Sequence, residues 1–335
     1  MKKFTKGCLI TALILFIIGC IFCLTFGTLG GFRQIDSKAY RIVRLGGLGN
    51  LGIGFDGNSF GILSIDDWDE EEWMDMYNID ENTAATQTNY NASDISDIDI
   101  DLGGESVVIE ESENDYVWIS TASSNNRVKY GMKGGTLRVY SKNSIRLWNK
   151  ISNGSIHLYL PKGMTLDSID LKVGAGKLKS MALNADEIKM DIGAGKFEID
   201  GISAHEVKIE VGAGKANIND IIADKADVSA GAGKININGV DVGKLSMDVG
   251  MGNIDMEGKV SGDIDAECGM GSISMIIQGS ETDYNYEIEC AMGSIRIGDN
   301  KYSGLASERS INNGSINTFE VECSMGSIDI DFNSR

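Results

Sequence analysis

VGAGKLKSMALNADEIKMDIGAGKFEIDGISAHEVKIEVGAGKANIND, residues 173–220, carries the same five-residue bend three times at an interval of 19 residues. The series runs on through AGAGK (230–234), VGMGN (249–253) and CGMGS (268–272), with later echoes at CAMGS (290–294) and CSMGS (323–327). A constant period near 20 residues marks a repeat architecture in which one short unit stacks on the next.

The residues around each bend say that the unit is made of strands. Ile188, Met190 and Ile192 precede one bend, and Phe197 and Ile199 follow it. Period 2 holds on both sides, as a strand with one buried face requires. Across the bend the parity flips from even to odd, so the backbone turns a corner while both strands keep facing one interior. Val207, Ile209 and Val211, then Ala216 and Ile218, repeat the pattern, as do Ala226, Val228 and Ala230, then Ile235 and Ile237. Glycine at such a corner supplies positive φ or room for crowded backbone.

A third apolar column falls at Leu183, Ile202, Ile221 and Val240. Three inward segments per repeat predict an all-β, single-stranded parallel β-helix (a β-solenoid) of triangular section with 19-residue rungs. At about 4.8 Å per rung, roughly twelve rungs make a rod about 60 Å long. Looser rungs extend it at Ile98, Ile100 and Leu102 with Val107 and Ile109, at Leu137 and Val139, and at ISNGSIHLYLPKG (151–163). The stretches 110–130, 278–286 and 298–318 read as loops inserted between strands.

IHLYLPKG (156–163), LDSIDLKVGAGKL (166–178) and VECSMGSIDIDF (321–332) resemble the bacterial putative-adhesin domain family of β-strand-repeat proteins, related in shape to bactofilins. The resemblance covers residues 95–335. It implies a membrane-tethered, extracytoplasmic β-solenoid, and it brings no catalytic residues to this chain.

Charge divides the chain. Residues 1–44 carry seven basic side chains against Asp36, whereas the remainder has 23 basic against 48 acidic residues. A rod so acidic is repelled by nucleic acid and by anionic lipid. Residues 7–32 hold no charge, which is long enough for a membrane-spanning helix of about 20 residues. Lys2, Lys3 and Lys6 before it favour a cytoplasmic N-terminus, while Arg33, Lys38, Arg41 and Arg44 after it pull the other way. Ile17-Ile18-Gly19-Cys20 resembles a lipoprotein box, yet Ile21–Phe26 prolongs the apolar run, and no small-x-small cleavage site follows. The domain reading is therefore a basic tail (1–6), a transmembrane helix (7–32), a glycine-rich and acidic tether (33–94) and the solenoid (95–335). The bilayer is the partner of residues 7–32.

The motifs that suggest chemistry mostly dissolve. The GAGK bends lack the spacing, the Ser/Thr and the following helix of a phosphate loop. Lys177, Lys196, Lys215 and Lys234 instead form an outward column, whose repulsion neighbours such as Glu198 offset. The Asp of calcium-binding nonapeptide coils is missing. Asp265, Glu267, Glu287, Glu289, Glu320 and Glu322 stack carboxylates on an outer face of the late rungs, and oxygen ligands of that kind suit Ca²⁺. A solvated acidic face is the competing reading. Cys268, Cys290 and Cys323 take the inward place of earlier Val and Ile, as small hydrophobes in the core. His157 points outward between Ile156 and Leu158, His205 lies at a corner, and no nucleophile–base pair gathers around either.

The sequence thus predicts a non-catalytic binding, adhesion or scaffold protein of the bacterial envelope, with no cofactor and no catalytic residues. A surface protein or a polysaccharide is the expected partner, and nucleic acid is not. Two alternatives stay open. The final strand, SIDIDF (327–332), lies near the terminus with no obvious cap, so a bactofilin-like polymer joined end to end is one. A polysaccharide-cleaving β-helix enzyme, using the insertion at 298–318, is the other. The drift from GAGK to GMGS makes the acidic late rungs the place to look for a binding face.

Overall fold

Alternation at period 2 commits one face of every strand to the interior, and the core follows it residue by residue. Ile188, Met190 and Ile192 are buried, as are Phe197 and Ile199 beyond the bend, and the same holds for their counterparts one rung on. The computed structural model describes residues 87–122, 128–141, 155–303 and 307–333, with the backbone of three short strands nearer the N-terminus. Those three, Val43–Arg44, Leu51–Asp56 and Ser59–Ser64, form a small antiparallel sheet within the stretch read as a tether. Among the described residues no helix is long and apolar enough to cross a membrane; the span read at 7–32 lies outside them.

The remaining strands join into one curled sheet, and the 19-residue register is strict through its middle. Ile188 lies opposite Val207, Val207 opposite Ala226, Ala226 opposite Leu245 and Leu245 opposite Ile264, all in parallel pairing. Single long strands turn two corners without leaving the ladder, as Lys215–Ala230 and Lys234–Val249 do. The third column is present as read: Leu183 pairs with Ile202, Ile202 with Ile221 and Ile221 with Val240, each buried.

Of the two reasons for glycine at the corners, crowded backbone applies in the GAG bends and positive φ does not. None of the glycines in the GAG bends lies in the left-handed region among the described residues. They are required by crowding: a Cβ on Gly195 would sit 2.4 Å from the Gly176 carbonyl oxygen, and one on Gly214 2.4 Å from that of Gly195. Positive φ appears at the next corner, at Asp220 (51°) and Gly239 (74°).

The order of rungs also departs from the sequence at both ends. In space they run 136–161, 97–112, 166–180, then 185–199 onward to 264–278, and finally 318–333 before 285–297. The first and last rungs in sequence are thus each slotted one place inward. Strand Ser327–Asn333 is paired on both sides, with Ser272–Gln278 and with Ser294–Ile297, and is not the open edge that its place near the terminus suggested.

The stretches read as inserted loops, together with Gln87–Asn91 from the stretch read as a tether, supply the outermost strands, all antiparallel. Val128–Lys133 covers Thr136–Ser141, and Tyr116–Ala122 covers Ser155–Pro161 with Gln87–Asn91 beyond it. At the other end Asn300–Ser303 covers Ser294–Ile297, and Ser307–Ile311 covers Asn285–Cys290. Tyr284, Tyr286 and Phe319 fill the core near that end, with the Tyr284 hydroxyl donating to the Val260 carbonyl at 2.6 Å.

Candidate functional site

The flat face that precedes each GAG corner carries the rod's outward charges, and strand register decides their neighbours. Over the N-terminal rungs acids and bases compensate locally. Arg138 meets Asp99 at 3.1 Å, Lys172 meets Asp170 at 3.1 Å, Lys189 meets Glu187 at 2.6 Å and Lys208 meets Glu210 at 2.7 Å. Lys225 spans Glu206 and Asp227 at 3.1 and 2.7 Å, and Lys244 meets Asp263 at 3.1 Å. Asp191 is the exception: burial, reinforced by Glu210, pushes its carboxyl up to about 6.

On this face the compensation ends beyond Asp263. Asp265 lies opposite Glu320 and Glu320 opposite Glu287, while Glu267 lies opposite Glu322 and Glu322 opposite Glu289. The six acids singled out in the sequence are therefore brought together in two parallel columns, with the pair from Thr318–Cys323 in the middle. Burial and then the negative neighbours raise the carboxyls of Asp265, Glu267 and Glu320 above their ordinary range, Asp248 being the neighbour for Asp265. Among the described residues no group of three or more His, Cys, Asp or Glu side chains is placed to hold a metal ion.

The lysine column is in register, Lys177 opposite Lys196, then Lys215, then Lys234. Lys196 bonds Glu198 on its own strand, which lowers that carboxyl, and Lys234 reaches Asp255 one rung on at 2.6 Å. Anion-binding geometry is absent there, because each lysine opens a strand rather than a helix. Cys268, Cys323 and Cys290 form the buried thiol column in that spatial order, all unbridged; burial pushes the Cys268 thiol up to about 11. His157 is outward between buried Ile156 and Leu158, 3.6 Å from Glu110. His205 sits within strand Ile202–Val211, bonded to Asp224 at 2.8 Å with Asp186 at 4.0 Å, and these carboxylates raise its pKa.

One feature had no place in the expectations from sequence. The middle residue of each late bend is a methionine, and Met251, Met270, Met292 and Met325 are all exposed. The change from GAGK to GMGN and GMGS was visible in the chain; that the four thioethers line one edge beside the acidic columns needed the rung order.

An all-β solenoid with charged columns outside and a continuous aliphatic interior is the class of protein these features define. The chain belongs to the Toastrack DUF4097 family, whose model matches residues 95–331. No curated protein matches it in sequence. Among solved structures, a putative lipid binding protein from Parabacteroides distasonis is 20% identical, with 75% of this chain and 98% of that one covered and a TM-score of 0.40. A putative adhesin from Bacteroides fragilis is 13% identical over 75% and 98% of the two chains, with a TM-score of 0.38. A putative cell adhesion protein from Clostridium sporogenes is 15% identical over 74% and 100%, with a TM-score of 0.26.

Proposed function

We propose that this protein is a non-catalytic binding or adhesion protein of the bacterial envelope, held in the cytoplasmic membrane by residues 7–32 with its solenoid outside. The observation that carries this reading is the closed ladder. Neighbouring rungs hydrogen-bond through the bends themselves, as in Lys215 N–H to the Gly195 carbonyl at 2.9 Å and Lys234 N–H to that of Gly214 at 2.9 Å. Outward side chains are thereby fixed in columns, and regular columns suit repeated contacts with an extended partner. The uncharged stretch at 7–32 and the preceding lysines support the anchor and its direction. An end-to-end polymer would have to pair through the short antiparallel outer strands; Gln87–Asn91 is uncharged, whereas Lys129, Lys133, Lys301, Glu308 and Arg309 sit on the other three. Charged edge strands of that kind oppose such pairing.

The test is made on intact cells with the outer layers permeabilised. External protease should digest the solenoid while a cytoplasmic marker survives, and photocrosslinkers at outward positions such as Lys189 and Glu267 should yield discrete envelope adducts. A solenoid protected from protease would defeat the placement. New reducing ends released from envelope polysaccharide by the purified chain would show an enzyme instead.

A further inference from the structure

One edge of the rod changes character part-way along its length. The middle residue of successive bends is Ala175, Ala194, Ala213 and Ala232, and then, in spatial order, Met251, Met270, Met325 and Met292. The backbone fixes that order. Met251 N–H donates to the Gly231 carbonyl at 2.6 Å, and Met270, Met325 and Met292 donate to Gly250, Gly269 and Ser324 at 2.7 Å each. The four side chains are 62, 55, 52 and 59% exposed, so the ridge is apolar and open to solvent.

Two other properties change on the same rungs. The lysine that closes each earlier bend gives way to Asn253, Ser272, Ser327 and Ser294, which removes positive charge from the edge. On the other side of the ridge, three residues before each methionine, stand Asp248, Glu267, Glu322 and Glu289. Asp265, Glu267, Glu320 and Glu322 have no cationic partner among the described residues, whereas Asp170, Glu187, Glu210, Asp227 and Asp263 do. Burial, then repulsion from neighbouring acids, keeps Asp265, Glu267 and Glu320 above their ordinary range. Solubility alone would be served by charge at the ridge too. Exposed, unbranched thioethers that adapt to whatever lies on them are instead a feature of surfaces that receive apolar side chains.

We propose that the methionine ridge and the carboxylates beside it dock a basic amphipathic segment of a partner protein, with apolar side chains on the methionines and Lys or Arg over the acids. This deepens the binding role proposed above and rests on it. Charge complementarity selects the occupant. Anionic lipid and nucleic acid are repelled, and a second copy of this chain would bring the same acids face to face. Size sets its length: four rungs at about 4.8 Å span roughly 15 Å, close to three helical turns at about 5.4 Å each.

The experiment measures binding of a fluorescent peptide of about fourteen residues, made of Lys and Leu at helical spacing, to the full-length protein in non-ionic detergent. The wild type should bind it. Replacing all four ridge residues (Met251→Ala, Met270→Ala, Met325→Ala, Met292→Ala) should weaken binding at least about 30-fold, as expected where central apolar anchors are lost. The variant Glu267→Gln/Glu320→Gln/Glu322→Gln should weaken it about tenfold or more and flatten its salt dependence. A matched variant on the compensated rungs, Glu187→Gln/Glu206→Gln/Glu210→Gln, should change it less than about twofold. Circular dichroism confirms that each variant folds, which surface positions permit. The proposal is overturned by any of three results: no binding at about 0.1 mM peptide, an equal effect of the matched variant, or full affinity after the methionines are removed. Loss in the ridge variant of a concentration-dependent dimer seen by sedimentation would assign the ridge to a second copy and overturn it too. Each of these failures leaves the crosslinking and protease outcomes above unaffected.

Discussion

Gly214→Ala tests the physical account of the repeat. The new Cβ would stand 2.4 Å from the Gly195 carbonyl oxygen, 2.9 Å from Ile192 Cγ2 and 3.0 Å from the Gly195 nitrogen. Real Cβ atoms keep about 3.4 Å or more from such neighbours, so the two rungs must separate by up to ~1 Å at this corner. Lys215 N–H, which donates to the Gly195 carbonyl at 2.9 Å, and Ala213 N–H, which donates to Gly193 at 2.7 Å, are the bonds that stretch. Losing most of two backbone bonds costs about 2 kcal/mol, and residual overpacking adds about 1. A local destabilisation of about 3 kcal/mol is roughly a hundredfold loss of hydrogen-exchange protection at Lys215. Two comparisons isolate the cause. Gly212→Ala meets the Gly193 oxygen at 2.8 Å and little else, so it should cost about 1–2 kcal/mol. Gly163→Ala meets nothing within 4 Å and pays only for its φ of +68°, about 1 kcal/mol. If protection at Lys215 falls less than about threefold, or Gly163→Ala does equal damage, crowding between rungs is not what selects glycine here.

Asp191 is held above its unfolded value, so its ionisation opposes folding: stability should rise as pH falls from about 7 through about 6 and stop rising below the ordinary carboxylate range. Asp191→Asn should therefore stabilise the protein by about 1–2 kcal/mol at pH 7, after allowance for partial exposure, and by little near pH 4, as read from urea midpoints. Cys323 occupies the place of Val249 and Val211, so Cys323→Val should shift stability by less than about 1 kcal/mol, while Cys323→Ser should cost about 1–3 by burying a hydroxyl. Arg296 donates to Asp329 at 3.0 Å and to Asp331 at 2.8 Å, holding Asp331 below its usual range; Arg296→Gln should speed amide exchange across 327–333 and leave 185–199 unchanged. Replacing 299–312 by a glycine–serine linker strips the outer strands from 285–297, and sedimentation should then show self-association absent from the intact chain.

The middle of the molecule was legible because period, parity and register are properties of single strands and their nearest neighbours in the chain. Ile188, Phe197 and Ile202 announce three inward faces from spacing alone. The ends were not, because strand pairing there skips a rung. VECSMGSIDIDF carries the same pattern as CAMGSIRI, and period 2 gives no information on which of the two lies against 264–278. The same degeneracy hid the role of the late insertion, whose strands Asn300–Ser303 and Ser307–Ile311 show no buried alternation. For the candidate site, the columns of acids follow once strand register is known. The methionines went unread because an apolar residue at a bend looks like core until its exposure is known.

Slotting the terminal rungs inward has an energetic logic. In a sequential solenoid the last rung bonds on one face only and ends freely, so it frays first, at small cost per residue. Here strand Asp97–Leu102 is bonded by Leu166–Val173 on one side and Thr136–Ser141 on the other, and Ser327–Asn333 is likewise held from both sides. The exposed edges pass to Gln87–Asn91, Val128–Lys133, Asn300–Ser303 and Ser307–Ile311, segments continued by chain at both ends, for which opening requires closing a loop rather than releasing a terminus. The arrangement costs two long return connections, whose closure entropy grows only slowly with length, and it doubles the ladder on the two rungs that a sequential coil holds least well. It also makes the last residues of the chain structural: Cys323, Met325 and Asp329 complete the thiol column, the methionine ridge and the Arg296 bridge in the interior of the stack. Truncation before residue 318 should therefore disorder the rung at 285–297 as well as removing its own, since that rung's only parallel partner is the strand deleted.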